Sequence, residues 1–285
     1  MNLVSGRIGR YEVRRVGFGA MQIPGRGVFG PPADREAALK VLLRAIELGV
    51  NHIDTAQYYG PDVSNELIHA ALYPYPDNLV LVSKVGAKRD EKGGWHPANS
   101  PRELREGVEA NLRSLEVEQV GIVNLRVGTA GEPDALFEEQ VGAMARMRDE
   151  GLIDGVGVSN VSLSQLNRAT ELTEIACVQN AFSVVDRSST PVLEACEEQG
   201  IAFVPFFPLG SAFPGMKRVE DDSVVVEIAH QLGATASQIA LAWLLALSPA
   251  ILLIPGTSSI AHLEENMASA EIALDDETLA SLSTN

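Results

Sequence analysis

The sequence predicts an α/β protein folded as one (β/α)8 barrel, and three observations carry that prediction. Eight strand-like apolar runs alternate with segments of helical period from one end of the chain to the other. No Pro/Gly-rich linker or shift in composition divides the 285 residues, so a single domain over 1–285 is expected. The first apolar run leads into GFGAMQIPG, which lacks the glycine spacing of a doubly wound fold's phosphate turn and opens no helix.

The elements follow in order. GRIGRYEVRR reads as short strands forming a hairpin ahead of the barrel. The barrel strands are expected at Val16–Ala20, Val50–Thr55, Leu79–Lys84, Val120–Leu125, Ile153–Ser159, Ile175–Gln179, Ala202–Phe206 and Ile251–Ile254. The near-continuous apolar character of runs such as Val120–Leu125 is that of strands covered on both faces. Between them, a helix is expected from Asp34 as N-cap to a stop at Gly49. Another opens at Ser100, with Pro101 in the first helical position and Glu103 closing a capping box. PDALFEEQVGAMARMRDEG ends at Gly151, and TASQIALAWLLALSP is apolar nearly all round, which predicts a deeply buried helix.

Bulk properties narrow the function. The formal net charge is −16 and no basic patch is clustered, which argues against nucleic-acid binding. No apolar run is long enough to span a bilayer, and MNLVSGRIGRYEV has no secretory h-region. Cys177 and Cys196 form no CxxC pair, which fits a reducing cytoplasm. The five histidines are scattered, so no metal site is expected. A small-molecule partner remains, and the sequence does not specify an oligomeric state.

Barrel chemistry sits at the carboxyl ends of the strands. Those ends carry Asp54, Lys84, Arg126, Ser159–Asn160, Gln179, Phe206 and Gly256–Thr257, a polar set on apolar strands. Tyr59 follows Asp54 in the next loop. Singly, each has a plain reading as a turn cap or a solvated charge. Together they make chemical sense: a phenol ionises near pH ~10, a nearby ammonium lowers that value, and a carboxylate holds the ammonium. The product is a proton donor for a carbonyl oxygen. Arg126 is the unusual member, a permanent cation ending a core strand. It either faces a substrate or pairs with a neighbouring carboxylate.

HIDTAxxYG, the strand-ending Lys84, GVSN, VQN, PFFPLG and IPGTSSxxHLxEN, in this order over almost the whole chain, resemble the aldo-keto reductases. Longer stretches, including ALYPYPDNLVLVSKVGAKR, VNLRV and LLIPGTSSIAHLEENMAS, resemble the bacterial pyridoxal-reducing branch of that family. The resemblance implies a barrel that binds NAD(P)H without a Rossmann domain and interconverts carbonyls and alcohols. It implies Tyr59 as general acid, tuned by Lys84 and Asp54. It places Ser159, Asn160 and Gln179 on the nicotinamide carboxamide and Phe206, followed by Pro208 and Leu209, against the ring. Gly256, Thr257, Ser258, His262, Glu265 and Asn266 would hold the adenosine end. Many relatives have Lys and Arg where this chain has Gly256 and His262; NADPH is the expected cofactor, with NADH possible. Most of the family ends the fourth strand with His, where Arg126 stands here. Met21, Phe29, Tyr58 and Trp95 are the expected substrate-pocket residues, with Trp95 in a long loop. Pyridoxal is the expected substrate. A broad-specificity reductase and a low-turnover cofactor-binding scaffold are the alternatives.

Overall fold

The computed structural model describes residues 5–210 and 217–284. Strands β1 (Ser5–Ile8) and β2 (Tyr11–Arg14) pair antiparallel across Gly9, whose φ of +54° is open to glycine at no steric cost. The chain then alternates. β3 (Phe18–Gly19) leads to α1 (Arg35–Glu47), and β4 (His52–Asp54) leads to α2 (Val63–Leu72). β5 (Val80–Arg89) and β6 (Trp95–Ala98) precede α3 (Pro101–Leu115). β7 (Val120–Arg126), β8 (Ile153–Ser159) and β9 (Ile175–Gln179) are followed by α4 (Ala135–Asp149), α5 (Leu163–Leu172) and α6 (Thr190–Gln199). β10 (Ala202–Phe203) precedes α7 (Ser223–Leu232) and α8 (Ala236–Leu247), and α9 (Ile260–Ala268) and α10 (Asp276–Thr284) complete the described chain.

Seven strands form one curled parallel sheet in the order β10-β9-β8-β7-β5-β4-β3, with β6 antiparallel to the end of β5. The eighth expected strand is not a strand of its own. Ile251 and Leu253 make single parallel bridges to Phe203 and Val16. The Leu252 amide donates to Phe203 O at 2.9 Å, and the Gly17 amide donates to Leu253 O at 2.8 Å. The segment thus hydrogen-bonds to both edges of the sheet.

Two other strands depart from expectation. The run expected over Ala202–Phe206 is regular only to Phe203, because Phe207 adopts a φ of +55° and turns the chain out of extended conformation. β5, expected to stop at Lys84, runs on to Arg89. Its polar continuation finds a partner in β6, so the expected loop around Trp95 begins as a hairpin arm. Gly86 permits the bend: its φ is +106°, and a Cβ there would lie 2.5 Å from Arg126 O.

The helix signals hold. Ser100 and Glu103 form the reciprocal capping box with Pro101 in the first turn. The Asp34 side chain accepts from the Ala37 amide at 2.9 Å. Along α8, Ile239 to Leu244 are all buried.

Alternation along the strands sorts the barrel interior. One apolar cluster lies between strands and helices. A second fills the lower lumen with Val80, Val82, Ile122, Ala202, Val204 and Leu252, and β1 and β2 contribute Ile8 and Val13 to it. Continuing two residues at a time, the same strand faces turn polar: Val82 to Lys84, Ile122 to Asn124 to Arg126, Cys177 to Gln179, His52 to Asp54. His52 fills the space beside Gly17, where a Cβ would stand 2.2 Å from Nε2. Burial lowers its pKa to about 4 and keeps the ring neutral.

Candidate active site

Asp54, Lys84 and Gln179 meet at the top of the lumen, all three buried. The Lys84 ammonium donates to Asp54 Oδ1 and, at 3.1 Å, to Thr55 O. Gln179 Nε2 donates to Asp54 Oδ2 at 2.6 Å, so both carboxylate oxygens are engaged. Charge-assisted bonds of this kind are the strong ones, and together they lock the ammonium in place. Behind them runs a buried polar chain. Thr55 Oγ1 donates to Asn65 Oδ1 at 2.8 Å, and Asn65 Nδ2 donates to Asn111 Oδ1 at 2.9 Å. Ser83 Oγ also donates to Asn111. The residues adjoining Asp54 and Lys84 are thereby tied to α2 and α3. Sequence reading missed Asn65 and Asn111. Their signal was a polar residue on the core-facing stripe of an amphipathic helix, twice.

Tyr59 stands over this floor, with Lys84 Nζ 5.1 Å from its ring centroid. Its loop is pinned on the outside: the Gly60 amide donates to Val28 O at 3.2 Å, and the Gly30 amide donates to Gly60 O at 2.9 Å. The expected lowering of the phenol pKa by Lys84 is not what the geometry produces. Burial, and then Asp54, push the phenol well above its ordinary value, and Arg126 opposes them. The ammonium is spent on Asp54 and Thr55 O, and the ring is desolvated. Tyr59 is therefore held fully protonated at neutral pH.

A cavity of about 430 Å³ opens beside Tyr59, bounded by Met21, Tyr58, Trp95, Arg126 and Phe206 among others. Arg126, half-buried, forms no ion pair among the described residues, which overturns the carboxylate-partner reading. The charge faces the cavity and lowers the phenols of both Tyr58 and Tyr59. Tyr58 meets Tyr59 and Trp95 edge-on, at 5.4 and 5.6 Å between centroids. Phe29 does not border the cavity. It packs against the Arg89 guanidinium, whose Cζ lies 5.3 Å from the Phe29 ring centroid and 4.0 Å from that of Trp95. Arg89 also donates to Gly27 O, Val28 O and Gly93 O, fastening the Trp95 strand to the loop beside Tyr59. In the sequence, Arg89 reads as an ordinary surface charge.

A second groove, about 210 Å³, shares Tyr59 and Lys84 with the cavity, reaches Asp54, and runs between Phe206–Gly210 and Ile254–Gly256. Its glycines are needed: a Cβ on Gly256 would sit 2.6 Å from Gly19 O. Phe206 and its neighbour Phe207, which sequence reading passed over, border both spaces; Pro208 and Leu209 border the groove. Ser159 ends β8 and Asn160 follows it on the cavity side, where Asn160 Nδ2 donates to Val127 O at 3.0 Å. Gln179 Oε1 is buried without a partner. Beyond Gly256, Thr257 Oγ1 accepts from the Ser259 amide at 3.0 Å, and Ser259 caps α9. Ser258 and His262 are exposed at that helix start, and Asn266 is buried on the same helix. Glu265 accepts from Thr235 Oγ1 at 2.6 Å, so its carboxylate is already fastened to the cap of α8.

A protein-family model described as the aldo/keto reductase family matches residues 15–284. The chain is 47% identical over 278 residues to pyridoxine 4-dehydrogenase of Escherichia coli K12, covering 96% of both chains. It is 40% identical over 280 residues to an uncharacterized oxidoreductase of Schizosaccharomyces pombe, covering 97% of this chain and 88% of that one. Among solved structures, a thermostable aldo-keto reductase complexed with the inhibitor epalrestat superposes with a TM-score of 0.82 at 30% identity, covering 99% of each chain. An aldo-keto reductase from Klebsiella pneumoniae in complex with NADPH superposes with a TM-score of 0.81 at 26% identity, covering 100% of this chain and 95% of that one.

Proposed function

The chain belongs to the aldo/keto reductase family, and we propose that this oxidoreductase reduces an aldehyde to an alcohol with NADPH, pyridoxal to pyridoxine being the reaction it serves. One observation carries the reading: Tyr59, the engaged Asp54–Lys84 pair and Arg126 converge on a single cavity. The name of the relative at 47% identity, pyridoxine 4-dehydrogenase, supports the substrate, since oxidation of pyridoxine yields pyridoxal and its reverse is the reduction of pyridoxal. We also read the sheet as a closed eight-stranded barrel in one domain, on the hydrogen bonds that the segment around Leu252 makes to both edges.

The residues present fit a nicotinamide cofactor. The unpartnered Gln179 Oε1 suits a carboxamide N–H, and Phe206 offers a ring face between groove and cavity. The Gly256 backbone and the α9 N-terminus suit a phosphate-bearing chain. When bound, the cofactor supplies the hydride. The protein does the rest. Tyr59 gives its proton to the carbonyl oxygen. Lys84, immobilised by Asp54, keeps a positive charge under the Tyr59 ring, where it stabilises charge as the proton leaves. Arg126 donates to the carbonyl oxygen and polarises it, a role that needs a donor rather than a titratable group.

The test is steady-state oxidation of NADPH, and of NADH in parallel, with pyridoxal beside simple aldehydes. The reading expects pyridoxal to give the highest kcat/KM and NADPH to be preferred. A higher kcat/KM for every simple aldehyde than for pyridoxal would instead establish a broad-specificity reductase.

A further inference from the structure

Tyr58 is out of place as a structural residue. Its side chain is 97% withdrawn from solvent, yet its hydroxyl has no hydrogen-bond partner. A buried hydroxyl left unpaired is costly, and folded proteins avoid it unless the site has another use. The ring needs no hydroxyl to be held, because it packs edge-on against Tyr59 and Trp95. It borders the same cavity as Arg126, within electrostatic reach of that guanidinium and of Tyr59. Burial raises its pKa, so the hydroxyl stays protonated and acts as a donor. The cavity wall therefore carries three donor groups, the Tyr59 hydroxyl, the Arg126 guanidinium and, buried within the wall, the Tyr58 hydroxyl. A bare carbonyl oxygen has two lone pairs and cannot use them all.

Resting on the reductase reading above, we propose that Tyr58 is a specificity-determining donor. Its hydroxyl and Arg126 together hold a second, acceptor oxygen on the atom next to the one bearing the reacting carbonyl. The substrate class is then an aromatic aldehyde with an ionised ortho-hydroxyl, bound through two oxygens instead of one.

Salicylaldehyde and benzaldehyde differ only in that oxygen and are the probes, assayed at pH ~9 so that the ring hydroxyl of the former is ionised. Tyr58→Phe keeps the ring and both aromatic contacts. A lost hydrogen bond to a charged oxygen is worth roughly ten-fold or more in kcat/KM. The variant's kcat/KM for salicylaldehyde should therefore fall at least ten-fold further than its kcat/KM for benzaldehyde. Its melting temperature should hold or rise, since the hydroxyl removed had no partner. Equal losses on the two aldehydes, or none, would overturn the proposal. A melting temperature lowered by several degrees would also overturn it, because the hydroxyl would then be structural. Wild-type enzyme that reduces neither these aldehydes nor pyridoxal would remove the reductase reading itself, a failure visible before any variant is made.

Discussion

The floor and the wall of the cavity handle their polar atoms in opposite ways. On the floor, Asp54 has both oxygens occupied, and Lys84 divides its protons between Asp54 and Thr55 O. The neighbouring Thr55 and Ser83 are tied through Asn65 and Asn111 to the surrounding helices. On the wall, the Tyr58 hydroxyl is buried and unpartnered, and Arg126 forms no ion pair among the described residues. A set of hydrogen bonds closed but for Gln179 Oε1 fixes geometry and leaves a ligand little beyond that one acceptor. An open set has binding capacity in reserve, at a cost in stability. On the proposed reading, the floor supplies a fixed proton donor for any carbonyl, and the wall decides which carbonyl is used.

The largest expected effect breaks the floor's chemistry while leaving its shape. Tyr59→Phe removes the proton and keeps the ring, so reduction should fall by about 10²–10⁴-fold with cofactor affinity retained. Near wild-type rates would remove Tyr59 from the mechanism. Next comes the floor's architecture. Asp54→Ala leaves the Lys84 ammonium and the Gln179 amide buried without their partner, and breaking a buried pair from one side costs roughly 3–5 kcal/mol. Urea denaturation measures it. A loss below about 1 kcal/mol would mean that the floor is not closed.

The smallest expected effect is an absence of change. Burial and Asp54 raise the Tyr59 pKa, so the protonated, donating form is populated at every pH below the ordinary phenol value of ~10 and somewhat beyond. With benzaldehyde, which has no titrating group, kcat/KM for reduction should be flat from about pH 6 to 9. A decline that deprotonation of Tyr59 causes within this range, present in wild type and lost in Tyr59→Phe, would show that the phenol is lowered after all.

The floor was more legible in the sequence than the wall. Asp54, Lys84 and Gln179 stand out because each closes an apolar run, as Arg126 does on the wall, and alternation then places them on the lumen face. The caps at Asp34 and Ser100 were readable because their hydrogen bonds span three residues. What was hidden depends on contacts between distant segments. The packing of Arg89 against both Phe29 and Trp95 joins segments some sixty residues apart. The direction of the Tyr59 shift depends on desolvation, which no local pattern encodes. β5 was cut short because VGAKR, with its two cations, reads as loop until β6 is seen beside it. Ile251–Ile254 has the composition of a strand, yet only isolated bridges form there.

If the wall selects the substrate through donors left free for it, Arg126 carries most of that selection. Arg126→Met keeps much of the apolar stem and removes charge and donors together. The measurement is kcat/KM for pyridoxal and for benzaldehyde, in wild type and variant. Hydrogen bonds to a charged group contribute roughly 1.5–3 kcal/mol, so pyridoxal should lose about ten- to more than a hundred-fold. Benzaldehyde, which offers only its carbonyl oxygen, should lose distinctly less. Equal losses on the two aldehydes, or none on either, would contradict the account.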